Sequence, residues 1–540
     1  MRLSPHCFKL FLLIFVISCT TNRSVYTLGL TVEYCENDEM GFSDEQMSAT
    51  FVPKIQLLLK KSMNALTLSA PLTEADELAL ATVVFKSMYT PGRVYHRIEH
   101  VFNITGDCPI IEEDPILTLS VLFHDVIYYS VDKVFQQSQL QLLKGVLEIE
   151  ESNDGETLLK VQQPLKLTSS VQNDPILDMT VRLFGHEAGL TLPSFGTNEF
   201  LSAIIGVRVL SKWLSLTQLT QLAATIEGTI PFRPPSDDGK TAMDRLYDRL
   251  VIVAPDQSEE WLTETIHLTA TMANCDLGNF DSSNFDFFLD SNWSLVPEFR
   301  PSILKEDCPL KEYHDEFLGM EGRTKWLHSI VPNIFQAFRG VPSLDEMSAK
   351  KVKARENLDL TNDYAQVRRL QAMVLMELTA YAGENPEEIP GRPLLRLDLP
   401  ETRPHSEEDD DFIRKLLYRG RRTSYPWDPA KSSLGIFLYD KLGKKGVDAA
   451  VAIGKIKDGG KSDVLNHLPK AVVEQIASSL AVVWPNRSDV LLQIANTIGV
   501  SERQGNDGSS VDGKVVKDDG NVVNSDKSSW WGCLQALNPF

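Results

Sequence analysis

Residues 115–128 read PILTLSVLFHDVIY, and the way that stretch ends decides how the chain is understood. Pro115 suits the first turn of a helix, where a missing N–H costs nothing. The apolar run behind it gives the helix a buried course. It closes on His124 and Asp125, two polar groups in an apolar setting. Adjacent residues point roughly 100° apart around a helix, so both can reach one ion that sits at the helix edge.

Working outward, the flanking stretches carry a helical period as well. Residues 73–89, TEADELALATVVFKSMY, place Asp76 three positions after Thr73, a capping-box start. Leu78, Ala81, Val84, Phe85 and Met88 then recur at helical spacing. Residues 200–226, 258–276 and 362–382 also read as helices, and Gly383 is placed to terminate the last. Alternating strand patterns are scarce. The sequence therefore predicts an all-α protein: a helical bundle over 47–345 with a helical extension over 346–382. Residues 383–411 read as a linker, broken by Pro386, Pro390, Pro393, Pro400 and Pro404 and closed by the acidic run EEDDD at 407–411. A smaller, mainly helical region follows over 412–500, including a helix at 470–484. Residues 501–540 begin with a Gly-, Asp- and Ser-rich run and read as a disordered tail.

The chain has 540 residues, of which 43% are hydrophobic and 24% charged, the balance of a globular protein. Its net charge of −21 excludes general nucleic-acid binding, which needs clustered Lys and Arg. A small phosphorylated substrate stays open, because a bound metal supplies positive charge locally. Seven cysteines without a C-x-x-C pair argue against a zinc ribbon and predict free or buried thiols in a reduced compartment. The first 45 residues allow two readings. LFLLIFVIS at 10–18, behind Arg2 and Lys9, has the length of a signal-peptide core, and Cys19 after it would then be lipidated and anchor the protein to a membrane. Alternatively the protein starts at Met40 or Met47 and is cytoplasmic.

Three pieces carry the chemistry. PGRVYHRIEHV at 91–101 sets His96 and His100 four residues apart, on one face if the segment is helical. LFHDVIYY at 122–129 adds His124 and Asp125. ANCDLGNF at 273–280 adds Asp276, which continues the stripe Leu262, Ile266, Thr269 and Ala273. A carboxylate on an apolar face is costly unless paired or bound to a cation. His100, His124, Asp125 and Asp276 thus form a candidate ligand set for one divalent ion: zinc, iron, manganese, nickel or magnesium. Such an ion would make hydroxide available near neutral pH and offset charge on a phosphoryl oxygen.

Other residues have to be weighed against plainer roles. Arg93 is a candidate to grip a phosphate or to form a salt bridge, and Lys133 and Arg233 are candidates for substrate contact. His267 lies nine residues before Asp276, about 180° around the same helix, and so faces away. His186, in the loop-like GHEAGL, is a weak candidate ligand. Trp213, Trp261 and Trp326 read as core.

The order H…HD…D on separate helices resembles the HD superfamily of metal-dependent phosphohydrolases, and YHRIEH resembles the Y-H-x-x-x-H segment of its cyclic-nucleotide phosphodiesterase branch and of a bacterial predicted-phosphohydrolase branch. The likeness covers roughly residues 80–335 and is specific in the three pieces only. It implies that His96 is a general acid and that His100, His124, Asp125 and Asp276 bind metal. The phosphodiesterases have a further histidine between HD and the last Asp; this chain has no evident equivalent, which puts a second metal in doubt. The function implied is hydrolysis of a phosphomonoester or phosphodiester, a nucleotide among the candidates. The alternatives are a non-catalytic HD-fold interaction or sensing protein, and an HD-fold di-iron oxygenase.

Overall fold

A computed structural model describes residues 44–148, 158–159, 164–400, 410–453 and 463–497. Among these residues α-helix dominates, and the named strands are one short antiparallel pair, Phe135–Gln136 with Leu158–Leu159. The all-α class read from the sequence is the class observed. The leader-like stretch with Cys19 and the 501–540 tail lie outside the described residues. No helix among the described residues is long and apolar enough to cross a membrane.

Local chemistry sets several helix starts. Thr73 and Asp76 form the capping box expected of them, opening Glu74–Met88. The single helix expected over 200–226 is two, Thr197–Leu210 and Leu216–Gly228. Ser215 ends the turn between them, and its capping box with Gln218 starts the second. Ser343 and Glu346 do the same for the longest helix, Leu344–Tyr381, which begins well before residue 362. Gly383 takes φ +84° two residues past its end. That left-handed conformation is the one glycine adopts without a Cβ penalty.

Two apolar cores meet close to residue 276. The first draws on residues from Phe51 to Cys275, with Phe338 joining from later in the chain; the second runs from Phe280 to Ile494. The second core thus begins inside the range 47–345 that the sequence suggested for one bundle. Phe285–Phe299 and Leu310–Ser329 pack against Leu344–Tyr381, which packs in turn against Ser433–Ile453. Residues 383–400, expected as linker, also belong to the second core. Their prolines set turns around a short helix, Gly391–Leu395, and Leu394, Leu395, Leu397 and Leu399 are buried. Gly391 lies so close to the Tyr313 ring that a Cβ would come within 2.6 Å of it.

The second core is pinned by a buried charge network. Asp428 is fully buried and pairs with Arg368 and, at 2.7 Å, with Arg421; the Trp293 indole N–H donates to it at 2.8 Å. Removing one member of such a group strands the others without a partner. Asp428→Ala is therefore expected to cost about 3–5 kcal/mol of unfolding free energy, read from urea denaturation followed by circular dichroism. A loss within the roughly 0.5 kcal/mol usual for surface changes would contradict this.

Candidate metal centre

Two helices deliver the central residues by their carboxyl ends. Pro115–Phe123 stops at His124, its C-cap, with Asp125 next; Glu259–Asp276 ends on Asp276 itself. His100 comes from the first turn of a third helix, Ile98–Asp107. His100, His124 and Asp125 are buried and Asp276 nearly so. His100 Nε2 lies 3.2 Å from Asp276 Oδ1 and 3.9 Å from Asp125 Oδ2. His124 Nε2 lies 3.2 Å from Asp125 Oδ2 and 3.5 Å from Asp276 Oδ1. Ligands about 2.1 Å from one ion sit roughly 3.0–3.4 Å from one another. The observed separations are close to that spacing, and one atom each from His100, His124 and Asp276 can be chosen all within 4.8 Å of one another.

The His124 ring carries the decisive detail. Its Nδ1 lies 2.8 Å from the Val121 carbonyl, so it is the protonated nitrogen. Nε2 therefore faces the two acids, and it is buried without a hydrogen-bond partner among the described residues. An orphaned buried nitrogen beside two carboxylates is an arrangement a cation would complete. Without a cation, burial opposes charge on His124, but Asp125 and Asp276 outweigh it and raise its pKa well above the ordinary value. Burial likewise opposes ionisation of Asp125 and Asp276, while the imidazoles hold both below the carboxylate range.

His96 lies beside this cluster, before the Ile98–Asp107 helix begins. The shared helical face expected for His96 and His100 is therefore not what aligns them. Glu298 does that, from the second core. Its Oε1 accepts the backbone N–H groups of Val94, Tyr95 and His96 at 2.7, 2.7 and 3.0 Å, and its Oε2 meets His96 Nδ1 at 2.6 Å. Tyr128 stacks on the imidazole with centroids 4.0 Å apart. Burial disfavours charged His96, yet the Glu298 charge and hydrogen bond raise its pKa overall.

A cavity of about 170 Å3 opens above the cluster. His96, His100, His124, Asp125 and Asp276 line its floor, and its apolar walls include Phe280 and Met320 of the second core together with Phe299 and Trp326. Phe232 meets Trp326 and Phe280 edge to face. Glu199 also lines the cavity; burial, with the charges of Asp125 and Asp276, pushes it up to about 7.

Three expected substrate contacts are elsewhere. Arg93 is fully buried: it pairs with Asp132 at 2.7 Å and donates to the Asp125 and His96 carbonyls at 2.6 and 3.3 Å. It holds the two sequence pieces together and reaches no substrate. Lys133 is exposed at φ +56° and outside the cavity lining. Arg233 turns away from the cluster to pair with Glu227 at 2.5 Å. His186 packs on Phe184 and Phe200, away from the ligands, and His267 reaches the Phe338 carbonyl at 3.2 Å. Trp213 is buried as expected, but Trp326 is a cavity wall. The expectation of free thiols is corrected for one pair. Cys108, at the end of the His100 helix, is disulfide-bonded to Cys275, because the ends of the two ligand-bearing helices meet with Cα atoms 5.8 Å apart. Cys308 is a buried free thiol.

Searches against protein-family models, curated proteins and solved structures found no match to this chain.

The His96–Glu298 pair makes stability depend on pH in a defined direction. His96, with a raised folded pKa, contributes fully below its ordinary 6.5 and loses that contribution as pH climbs through the raised value. Glu298, with a lowered folded pKa, contributes fully above its ordinary 4.5 and loses it as pH falls through the lowered value. Glu298→Gln should therefore destabilise most between pH 4.5 and 6.5. The deficit should shrink at higher pH without vanishing, because backbone bonds to residue 298 are weakened as well. Denaturant midpoints across pH would read this; a deficit that grows with rising pH would be the wrong sign.

Proposed function

We propose that the chain is a metal-dependent phosphoester hydrolase of the HD type, with His100, His124, Asp125 and Asp276 holding one divalent cation and His96 acting as general acid. The observation that carries this reading is the orphaned His124 Nε2 between two carboxylates, with the His96–Glu298 pair beside it. The residue order H…HD…D and its resemblance to that superfamily support it independently. A bound cation would lower the pKa of water and offset charge on a phosphoryl oxygen.

The remaining work falls to side chains of this chain. Glu298 holds His96 by Nδ1, so its Nε2 is the nitrogen available to carry a proton to a leaving oxygen. The raised pKa favours the protonated form of His96, the form a general acid requires. Stacking on Tyr128 fixes the plane of the ring, and Arg93 ties the His96 and Asp125 backbones into one unit. The walls formed by Phe232, Phe280 and Trp326 favour a substrate whose non-phosphate part is apolar or planar, such as an aryl ester or a nucleotide. The di-iron alternative needs additional histidines at the cluster. Among the described residues His186 and His267, the two between Asp125 and Asp276, both point to other partners.

A panel of aryl, alkyl and nucleotide phosphoesters, assayed with added Mn2+, Zn2+ or Mg2+, tests the proposal. Cation-dependent turnover is expected, with Asp276→Asn lowering kcat by at least about a hundredfold. Phe232→Ala should raise KM for aryl esters about tenfold, the effect of losing roughly 1.5 kcal/mol of apolar burial, and leave small alkyl esters unchanged. Turnover indifferent to Asp276→Asn would refute the assignment. Cation binding with no turnover across the panel would favour the sensing alternative.

A further inference from the structure

A second cavity, of about 270 Å3, lies across the Thr229–Arg233 segment from the metal centre. Thr229, Pro231 and Phe232 line the first cavity, whereas Ile230 and Arg233 line the second. Phe232 takes φ +57°, a conformation that non-glycine residues adopt rarely, and it lies where the segment passes from one cavity to the other. Arg233 therefore cannot serve the metal centre, and its destination asks for an explanation.

The second cavity gathers positive charge in a chain whose net charge is −21. Arg233, Arg245 and Arg249 line it, and Glu227 is the only carboxylate in the lining. Glu227 is buried and already shared between Arg233, at 2.5 Å, and Arg249. Arg249 spends Nε on the Leu183 carbonyl at 2.6 Å. Arg245 reaches only backbone carbonyls, those of Lys240 at 2.7 Å and Pro234 at 3.2 Å. Asp248, which also bears on Arg249, is held by Lys240 at 2.6 Å. One carboxylate thus faces three guanidinium groups.

Unused hydrogen-bonding atoms occur in the same lining. Arg233 Nε and His186 Nε2 are buried without partners among the described residues. Both atoms lie behind the cavity surface, so the charge of the lining rests on the accessible ends of the guanidinium groups. Burial, reinforced by Arg249, pushes His186 down to about 4, leaving a neutral imidazole beside the cationic side chains. Burial also lowers the Arg249 pKa, and Arg233 and Arg245 add to that against the pull of Glu227.

We propose that this second cavity is a binding site for a small oxyanion of the phosphate class, held by Arg233, Arg245 and Arg249. Guanidinium groups match tetrahedral oxyanions in geometry as well as charge. The site is separate from the metal centre, and the proposal does not rest on any hydrolytic activity.

Calorimetric titration of the full chain with inorganic phosphate, in a chelator that keeps cations from the His100–Asp276 cluster, tests it. One phosphate per chain is expected. Arg245→Ala should weaken binding about tenfold or more, as loss of a charged hydrogen bond does, and Arg245→Lys should weaken it less. Asp125→Ala should leave it unchanged. Thermal unfolding of each variant checks that it is folded, and should Arg245→Ala fail to fold, Arg245→Lys alone must bind more weakly than the parent. No binding in the millimolar range, binding indifferent to both Arg245 variants, or binding lost in Asp125→Ala would each overturn the proposal.

Discussion

Two buried carboxylates at the carboxyl ends of two helices set the terms for everything around them. Asp125 follows the end of Pro115–Phe123, and Asp276 ends Glu259–Asp276. Peptide dipoles make a helix's carboxyl end partly negative, so a second negative charge there is unfavourable. Burial adds a desolvation penalty to each. Two imidazoles alone meet this cost only if both are protonated. The His124 nitrogen that faces the acids nevertheless makes no hydrogen bond to either of them. A divalent cation resolves all three difficulties together: the dipoles, the buried acids and the orphaned nitrogen. That is the physical argument for a metal centre, and it stands apart from any likeness to other proteins.

The site is completed across the junction of the two cores. The candidate ligands come from the first core or the ends of its helices; Glu298, Phe280, Phe299 and Trp326 come from elements of the second or packed beside it. Glu298 receives three successive backbone N–H groups while holding the His96 ring. It is the strut that fixes His96 relative to the candidate ligands. Arg93 does the equivalent work within the first core, bridging Asp132 and the backbone at Asp125 and His96. Both are positioning residues: neither lines the cavity.

The sequence disclosed what local pattern can encode. The helical class followed from periodicity, and Asp276 stood out as an acid on an apolar stripe. His100, His124 and Asp125 gained meaning with it as a set, and the structure brings all four together. Glu298 was hidden because its partner is 202 residues away and its own helix, FDFFLDSNWSLVPEF, shows only an acid near an apolar end. A buried glutamate following WSLVP was the one available signal. Arg93 stayed open between phosphate and salt bridge, and Arg233 was read as a substrate contact, because an arginine near a site looks the same whether it grips substrate or a neighbouring acid; Asp132 and Glu227 decide the matter in space. The Cys108–Cys275 pairing spans 167 residues and was equally beyond local reading. Prolines at 386–400 resembled a linker because they break helices, yet the leucines among them are core.

Anomalous diffraction from crystals of the full chain grown with Mn2+ or Zn2+ would test the metal centre most directly. The expected result is one strong peak about 2.0–2.3 Å from His100 Nε2, His124 Nε2 and carboxylate oxygens of Asp125 and Asp276. A cluster closed by direct imidazole–carboxylate hydrogen bonds, with no peak among the four residues, would contradict the account.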